Sequence, residues 1–134
     1  MAVDDHSRYA YVEALPDERA PACAAFPERA VAHFRVRGVP VRRVLTDNAR
    51  AYGSRSFRAV AGAHGITLNL TRPHRPQTNG KAERFIQTLQ NEWAYARCYR
   101  SNAARLHQLA RWLYRYNARR PHGDIGGAVP ASRL

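Results

Sequence analysis

The sequence predicts an α/β domain, and three observations carry that prediction. Up to about residue 70, short apolar runs alternate with stretches of helical periodicity. From Asn79 onward the periodicity is helical throughout. Hydrophobic residues make up 45% of the 134, enough for one modest core and too many for a disordered polymer. No repeat, low-complexity tract or Ser/Gly linker interrupts the chain, so one domain over residues 1–134 is expected.

Residues 8–15 are rich in aromatic and apolar side chains and stop at Pro16, which predicts a strand. Apolar residues at Cys23 and Ala24, Phe26, Ala30 and Val31, and Phe34 recur at helical spacing up to Gly38, predicting a helix over 21–37. Pro27 lies inside it. An interior proline removes one backbone hydrogen bond and costs about 3 kcal/mol, so this helix is expected to kink or to begin late. Residues 41–46 read as a strand, 54–64 as a helix ended by Gly65, and 66–70 as another strand. Beyond Asn79, the residues Ala82, Phe85, Leu89 and Trp93 form one stripe, which turns Glu83, Gln87 and Gln90 to a neighbouring polar face. A last helix over 102–117 carries Leu106, Leu109, Leu113 and Tyr116 and ends before Pro121.

The net charge of +12 and the pI near 11.0 point to a polyanionic partner, and nucleic acid comes first because basic side chains gain affinity by releasing counterions from phosphate. Of 22 basic residues only Lys81 is lysine. The arginine bias reads as genomic base composition, yet each arginine can still contact phosphate in bidentate fashion. No run of about 18 apolar residues and no signal peptide is visible, so a cytoplasmic location and no membrane partner are expected. Cys23 and Cys98 lack neighbouring cysteines or paired histidines, which leaves them as buried or idle thiols rather than zinc ligands or a disulfide.

Two acids carry the chemical reading. Asp47, in Thr46-Asp47-Asn48, ends a short apolar strand; Glu83, in Asn79-Gly80-Lys81-Ala82-Glu83-Arg84-Phe85, opens an amphipathic helix behind a proline-rich turn. At a sheet edge such carboxylates can share hard divalent metal. Beside them Arg72, His74, Arg75, Gln77, Thr78, Asn79 and Lys81 supply phosphate donors on a turn entering a helix N-terminus. The bland alternative is a solvated loop before a helix capped by Asn79 or Thr78.

The types, spacing and flanks of these residues resemble the integrase core of DDE transposases and retroviral integrases, nearest to bacterial insertion-sequence transposases. Asp4-Asp5-His6-Ser7-Arg8 looks like that family's D-x-x-S-R segment, Tyr116-Asn117-Ala118-Arg119-Arg120-Pro121-His122 like its Y-N-x-x-R-P-H, and Val129-Pro130-Ala131-Ser132-Arg133-Leu134 like its usual end. The resemblance implies a ribonuclease-H-like mixed sheet with helices, ending in two C-terminal helices. It implies DNA transposition or integration by in-line phosphoryl transfer. Asp47 and Glu83 would be the second and third catalytic carboxylates and ligands of Mg²⁺ or Mn²⁺. Arg72, His74, Arg75, Gln77, Asn79 and Lys81 would contact DNA.

Departures from the pattern qualify these expectations. The family's first acid lies on a strand upstream of D-x-x-S-R, and here only Met1, Ala2 and Val3 precede Asp4. The first strand is therefore expected to be largely missing, with Asp4 and Asp5 capping a turn instead of completing a triad. Ala49 stands where the family carries glycine, Pro27 where it carries an apolar residue, and no helix-turn-helix module is present. These features fit a truncated core fragment inactive alone, with two other readings open. One is an active transposase with a misassigned start. The other is a non-catalytic basic fragment that binds DNA, self-associates or joins an intact transposase.

Overall fold

The computed structural model describes residues 1–15, 20–71 and 80–134, with only the backbone described over 20–24. Two compact units emerge, one of Met1–Ala14 with Gly80–Leu134 and one of Leu15–Asn79. Among the described residues no helix is long and apolar enough to cross a membrane.

In the first unit, strands β1 (Ala2–Val3) and β2 (Ala10–Tyr11) pair antiparallel with Val3 opposite Ala10. The expected strand over 8–15 is thus only two residues long. Arg8 is the reason: at φ +64 it stands in the left-handed region, so the backbone becomes extended only beyond it. Helix α3 (Gly80–Leu89) continues as a π-helical turn over Gln90–Ala94, and α4 (Asn102–Ala118) starts at Ser101, whose hydroxyl accepts the Ala104 N–H at 3.1 Å. Short 3₁₀ turns at Gly123–Ile125 and Pro130–Arg133 end the chain, so it finishes beyond its two helices in tight turns.

The core of this unit joins Ala10, Phe85, Leu109, Trp112 and Tyr116, with Leu89, Trp93 and Leu113 packed against it. Phe85 is 2% exposed, and its ring meets Tyr116 edge-on at 5.0 Å and Trp112 at 6.1 Å. Burying a phenylalanine stabilises by about 1.5–3 kcal/mol, and aromatic pairs add about 0.5–1.5 kcal/mol each. The stripe from Ala82 to Trp93 therefore fixes the rotation of α3. The π-helical turn is tied to α4 at its end: Trp93 Nε1 donates to the Arg105 carbonyl at 2.9 Å, and the Tyr99 hydroxyl donates to the Trp93 carbonyl at 2.7 Å.

In the second unit, α1 (Ala20–Arg35) runs through Pro27, so the helix neither breaks there nor waits for that residue to begin. Strand β3 (Arg43–Thr46) pairs in parallel with β4 (Thr67–Leu70), and the crossover a parallel pair requires contains α2 (Arg55–Ala63), capped by Ser54. Val31, Ala61 and Ile66 form the core, with Val41, Val44 and Leu68 against them.

Both helices of this unit end alike. Val39 N–H donates to the Phe34 carbonyl and Gly38 N–H to Arg35, while Ile66 N–H donates to Ala61 and Gly65 N–H to Gly62. These are Schellman caps, and they place Gly38 and Gly65 at φ +77 and +64, where a side chain would strain the backbone.

The α/β class holds. The strands, however, form two separate two-stranded sheets among the described residues, one antiparallel and one parallel, where one mixed sheet was expected. The outer edge of β2 shows how one of these sheets is closed. Asp4 N–H donates to the Tyr9 carbonyl, so by the alternation of an antiparallel ladder the polar groups of Ala10 point away from β1. There the Asn117 side chain meets both of them, accepting the Ala10 N–H at 2.9 Å and donating to the Ala10 carbonyl at 2.8 Å.

Candidate active site

Asp47 follows the last residue of β3 and is exposed. Its Oδ1 accepts the Ala49 N–H at 3.0 Å, a local turn that sets how the chain leaves the strand. Asn48 then reaches across to donate to the Thr71 carbonyl at 3.1 Å, while Thr71 N–H donates to the Thr46 carbonyl at 2.9 Å. The acid thus stands at the carboxyl end of a parallel strand pair, the edge at which α/β sheets bind ligands. Ala49 is not strained: among the described residues Arg8 is the one non-glycine at positive φ, so the turn after Asn48 does not require glycine.

Glu83 lies in the first turn of α3 and is exposed. Phe85, two residues on, is rotated about 200° around the helix, so burying that ring turns Glu83 outward as the stripe implied. A carboxylate in a first turn also gains about 0.3–1 kcal/mol from the helix dipole. Among the described residues it makes no hydrogen bond or ion pair, and no group of three or more acids, histidines or cysteines gathers as a metal site. Asp47 and Glu83 belong to different units.

Lys81 is half-exposed, and its Nζ lies 2.5 Å from Asp5 Oδ1. That hydrogen bond, the largest influence, holds the Asp5 carboxyl below its usual 3.8 against an opposing cost of burial. The one lysine expected to meet phosphate is therefore already partnered. Arg72, His74, Arg75, Gln77 and Asn79 lie outside the described residues.

Asp4 caps its turn, as expected of a D-x-x-S-R segment whose acid is structural. One carboxylate oxygen accepts both the N–H and the hydroxyl of Ser7 at 2.7 Å, and Ser7, fully buried, accepts the Tyr9 N–H in turn. Arg8 closes this turn by donating to the Asp5 carbonyl. Cys98 is exposed and free, so it is the idle thiol of the two alternatives rather than a buried one; the Cys23 side chain lies outside the described set.

Sequence reasoning quoted Asn117 within a motif but gave it no role. A signal was present: Asn117 stands four residues after Leu113 on the apolar stripe of α4, where a polar amide needs a buried partner. Trp112 of the same helix is buried as well. Within the Y-N-x-x-R-P-H stretch, His122 lies edge-on to Tyr116 at 4.7 Å and Arg120 is paired to Glu92 at 2.8 Å.

Comparison with known proteins gives these elements a context. The integrase core domain family matches residues 1–76 and again residues 64–130. The chain is 34% identical over 131 residues, 98% of its length, to the insertion element IS476 39.2 kDa protein of Xanthomonas euvesicatoria. It is 31% identical over 86 residues, 64% of its length, to an insertion element IS136 protein of Agrobacterium fabrum. It spans 34% of the first relative and 44% of the second. In fold it is similar to the catalytic core domain of BIV integrase, with a TM-score of 0.72 at 24% identity over 97% of this chain and 80% of that one. A chain of the simian T-cell lymphotropic virus intasome gives 0.71 at 22% identity, over 90% and 42%.

Proposed function

The chain belongs to the integrase core domain family, and from that premise we propose that it is the catalytic-core portion of a DDE transposase with a ribonuclease-H-like architecture. Its task is in-line phosphoryl transfer during DNA transposition, with DNA as substrate. The observation that carries this reading is the placement of two exposed carboxylates, Asp47 at the carboxyl end of β3 and Glu83 on the outward face of the first turn of α3.

Both are hard oxygen donors, the chemistry that suits Mg²⁺ or Mn²⁺. Bound metal supplies Lewis-acid stabilisation of the entering and leaving oxygens of a phosphodiester. The chain's own residues do the rest. Asp47 is presented by its turn to Ala49, and Glu83 by the anchoring of Phe85. Arg72, His74, Arg75, Gln77, Asn79 and Lys81 hold the DNA backbone, with Lys81 exchanging Asp5 for phosphate. Asp4 and Asp5 are committed to a turn and to Lys81. With Asp47 and Glu83 as the acids in this role, these 134 residues are inactive alone and act with a further acid or a partner transposase.

Calorimetric titration with Mn²⁺ and a strand-transfer assay test this reading together. Asp47→Asn and Glu83→Gln should each weaken Mn²⁺ binding at least tenfold while leaving salt-sensitive DNA retention intact. Unchanged metal affinity in both variants would sink the ligand assignment. Robust Mg²⁺-dependent strand transfer by the isolated chain would sink the claim of inactivity.

A further inference from the structure

The unit of Met1–Ala14 with Gly80–Leu134 contains a cavity of about 250 Å³ that shares Lys81 with the proposed DNA contacts but holds neither of the proposed metal ligands. Its wall brings together Arg8 from the turn after β1, Lys81 and Arg84 from the first turn and a half of α3, and Arg120 with His122 from the segment after α4. Against these stands one lining acid, Asp124. Asp5 pairs with Lys81 and, at 3.7 Å, with Arg8, and Glu92 pairs with Arg120, whereas Arg84 makes no ion pair among the described residues.

Two further facts favour an anion as the group this wall would bind. Arg8 has a side chain only 14% exposed, and its Nε is buried without a hydrogen-bond partner. His122 Nε2 is buried and unpartnered as well. A buried guanidinium N–H left unpaired costs about 1–3 kcal/mol, and native proteins seldom carry such groups unless water or an ion meets them. The volume falls below the roughly 300–1,000 Å³ of pockets that take drug-sized ligands. It suits one small, highly charged group.

We propose that this cavity is a phosphate-binding pocket, in which Arg8, Arg84 and Arg120 grip a single phosphate group and His122 Nε2 faces it. Guanidinium groups match phosphate oxygens in planar, bidentate geometry, which three arginines on separate segments can provide from different sides. The group is either free orthophosphate or a backbone phosphate of DNA, since both present the same oxygens. Neither Asp47 nor Glu83 lines the pocket, so the inference stands apart from the metal reading.

His122 is the natural reporter. Burial, and then the neighbouring Arg120, hold its imidazole below the usual 6.5, with the Tyr116 carbonyl, Asp124 and Glu92 acting the other way. An anion beside it would reverse that balance. The experiment is an NMR titration of the His122 ring in the full chain, in potassium phosphate against potassium chloride at equal ionic strength, then with a short DNA duplex. Phosphate is expected to raise the His122 pKa, and chloride is not.

Arg84→Gln, an exposed change that leaves the fold intact, should weaken phosphate binding about tenfold, the loss of one charge-assisted contact. Thr88→Glu, which places a carboxylate in the same wall, should abolish it. A response to orthophosphate identifies a free-anion pocket, and a response to DNA alone identifies a backbone-phosphate pocket. No response to either, or a response indifferent to both substitutions, overturns the proposal.

Discussion

Asn117 and Ala10 form the contact from which most follows at the scale of single residues. Both polar groups of a buried backbone residue are met by one amide, so its loss strands a donor and an acceptor at once. Asn117→Ala is expected to cost about 2–6 kcal/mol, from about 1–3 kcal/mol for each of the two unsatisfied groups, read as a shift in the urea unfolding midpoint. Asn117→Asp keeps the acceptor but cannot donate to the Ala10 carbonyl, and should also destabilise. Asp5 invites the opposite kind of test. Removing its charge in Asp5→Asn frees Lys81, so DNA affinity should rise and the slope of log affinity against log salt should steepen by about 0.9, one added phosphate contact. An unchanged slope would show that Lys81 does not reach DNA.

Histidine titration adds a pH dependence with a defined sign. His122 is held below 6.5 by burial and by Arg120, so between that lowered value and 6.5 the unfolded chain binds more protons than the folded one. Stability is therefore full above pH 6.5 and falls as the pH drops through this window. His33, lowered by burial and Arg37, acts in the same sense. Melting temperatures of His122→Gln across pH 5–7.5 should show a shallower acid decline than the parent; a parallel decline would contradict this account.

At the scale of elements, helices close as their sequences dictate except where packing overrides propensity. Ser54 and Ser101 cap α2 and α4, and Gly38 and Gly65 terminate α1 and α2 by the left-handed conformation that glycine adopts without cost. Pro27 is the exception. It forgoes one backbone hydrogen bond, yet α1 continues past it, supported on its later turns by the buried Ala30, Val31 and Phe34 and by Glu28, whose carboxylate lies 2.7 Å from His64. Pro27→Ala should accordingly raise stability by up to about 3 kcal/mol in urea unfolding, and no gain would mean that the helix does not pass through this position in solution.

At the scale of the whole molecule, a net charge of +12 on 134 residues governs long-range behaviour whatever the local site does. DNA retention should weaken steeply as salt rises, by about 10³–10⁵ between 50 and 200 mM if six to ten phosphates are neutralised, in electrophoretic mobility shifts. Asp47→Asn and Glu83→Gln each remove one negative charge, so neither should lower this binding. A loss of retention in both would tie affinity to the carboxylates and count against a charge-driven interface.

The sequence by itself determined what depends on local chemistry: the helical stripe that buries Phe85 and turns Glu83 outward, the glycine ends at Gly38 and Gly65, the strand that ends at Asp47, and the basic charge. Periodicity of 3.6 and the φ freedom of glycine are properties of neighbours in the chain, so they can be read there. The tertiary structure decided the rest. That β2 shrinks to Ala10–Tyr11, that Asn117 closes its edge, that Lys81 is held by Asp5, and that Arg8, Arg84, Arg120 and His122 line one cavity all depend on contacts between distant segments. Asn117 lies 107 residues from Ala10, and no local pattern in either segment specifies that pairing. It is selected because a buried amide and a buried backbone edge each cost energy alone and satisfy one another together.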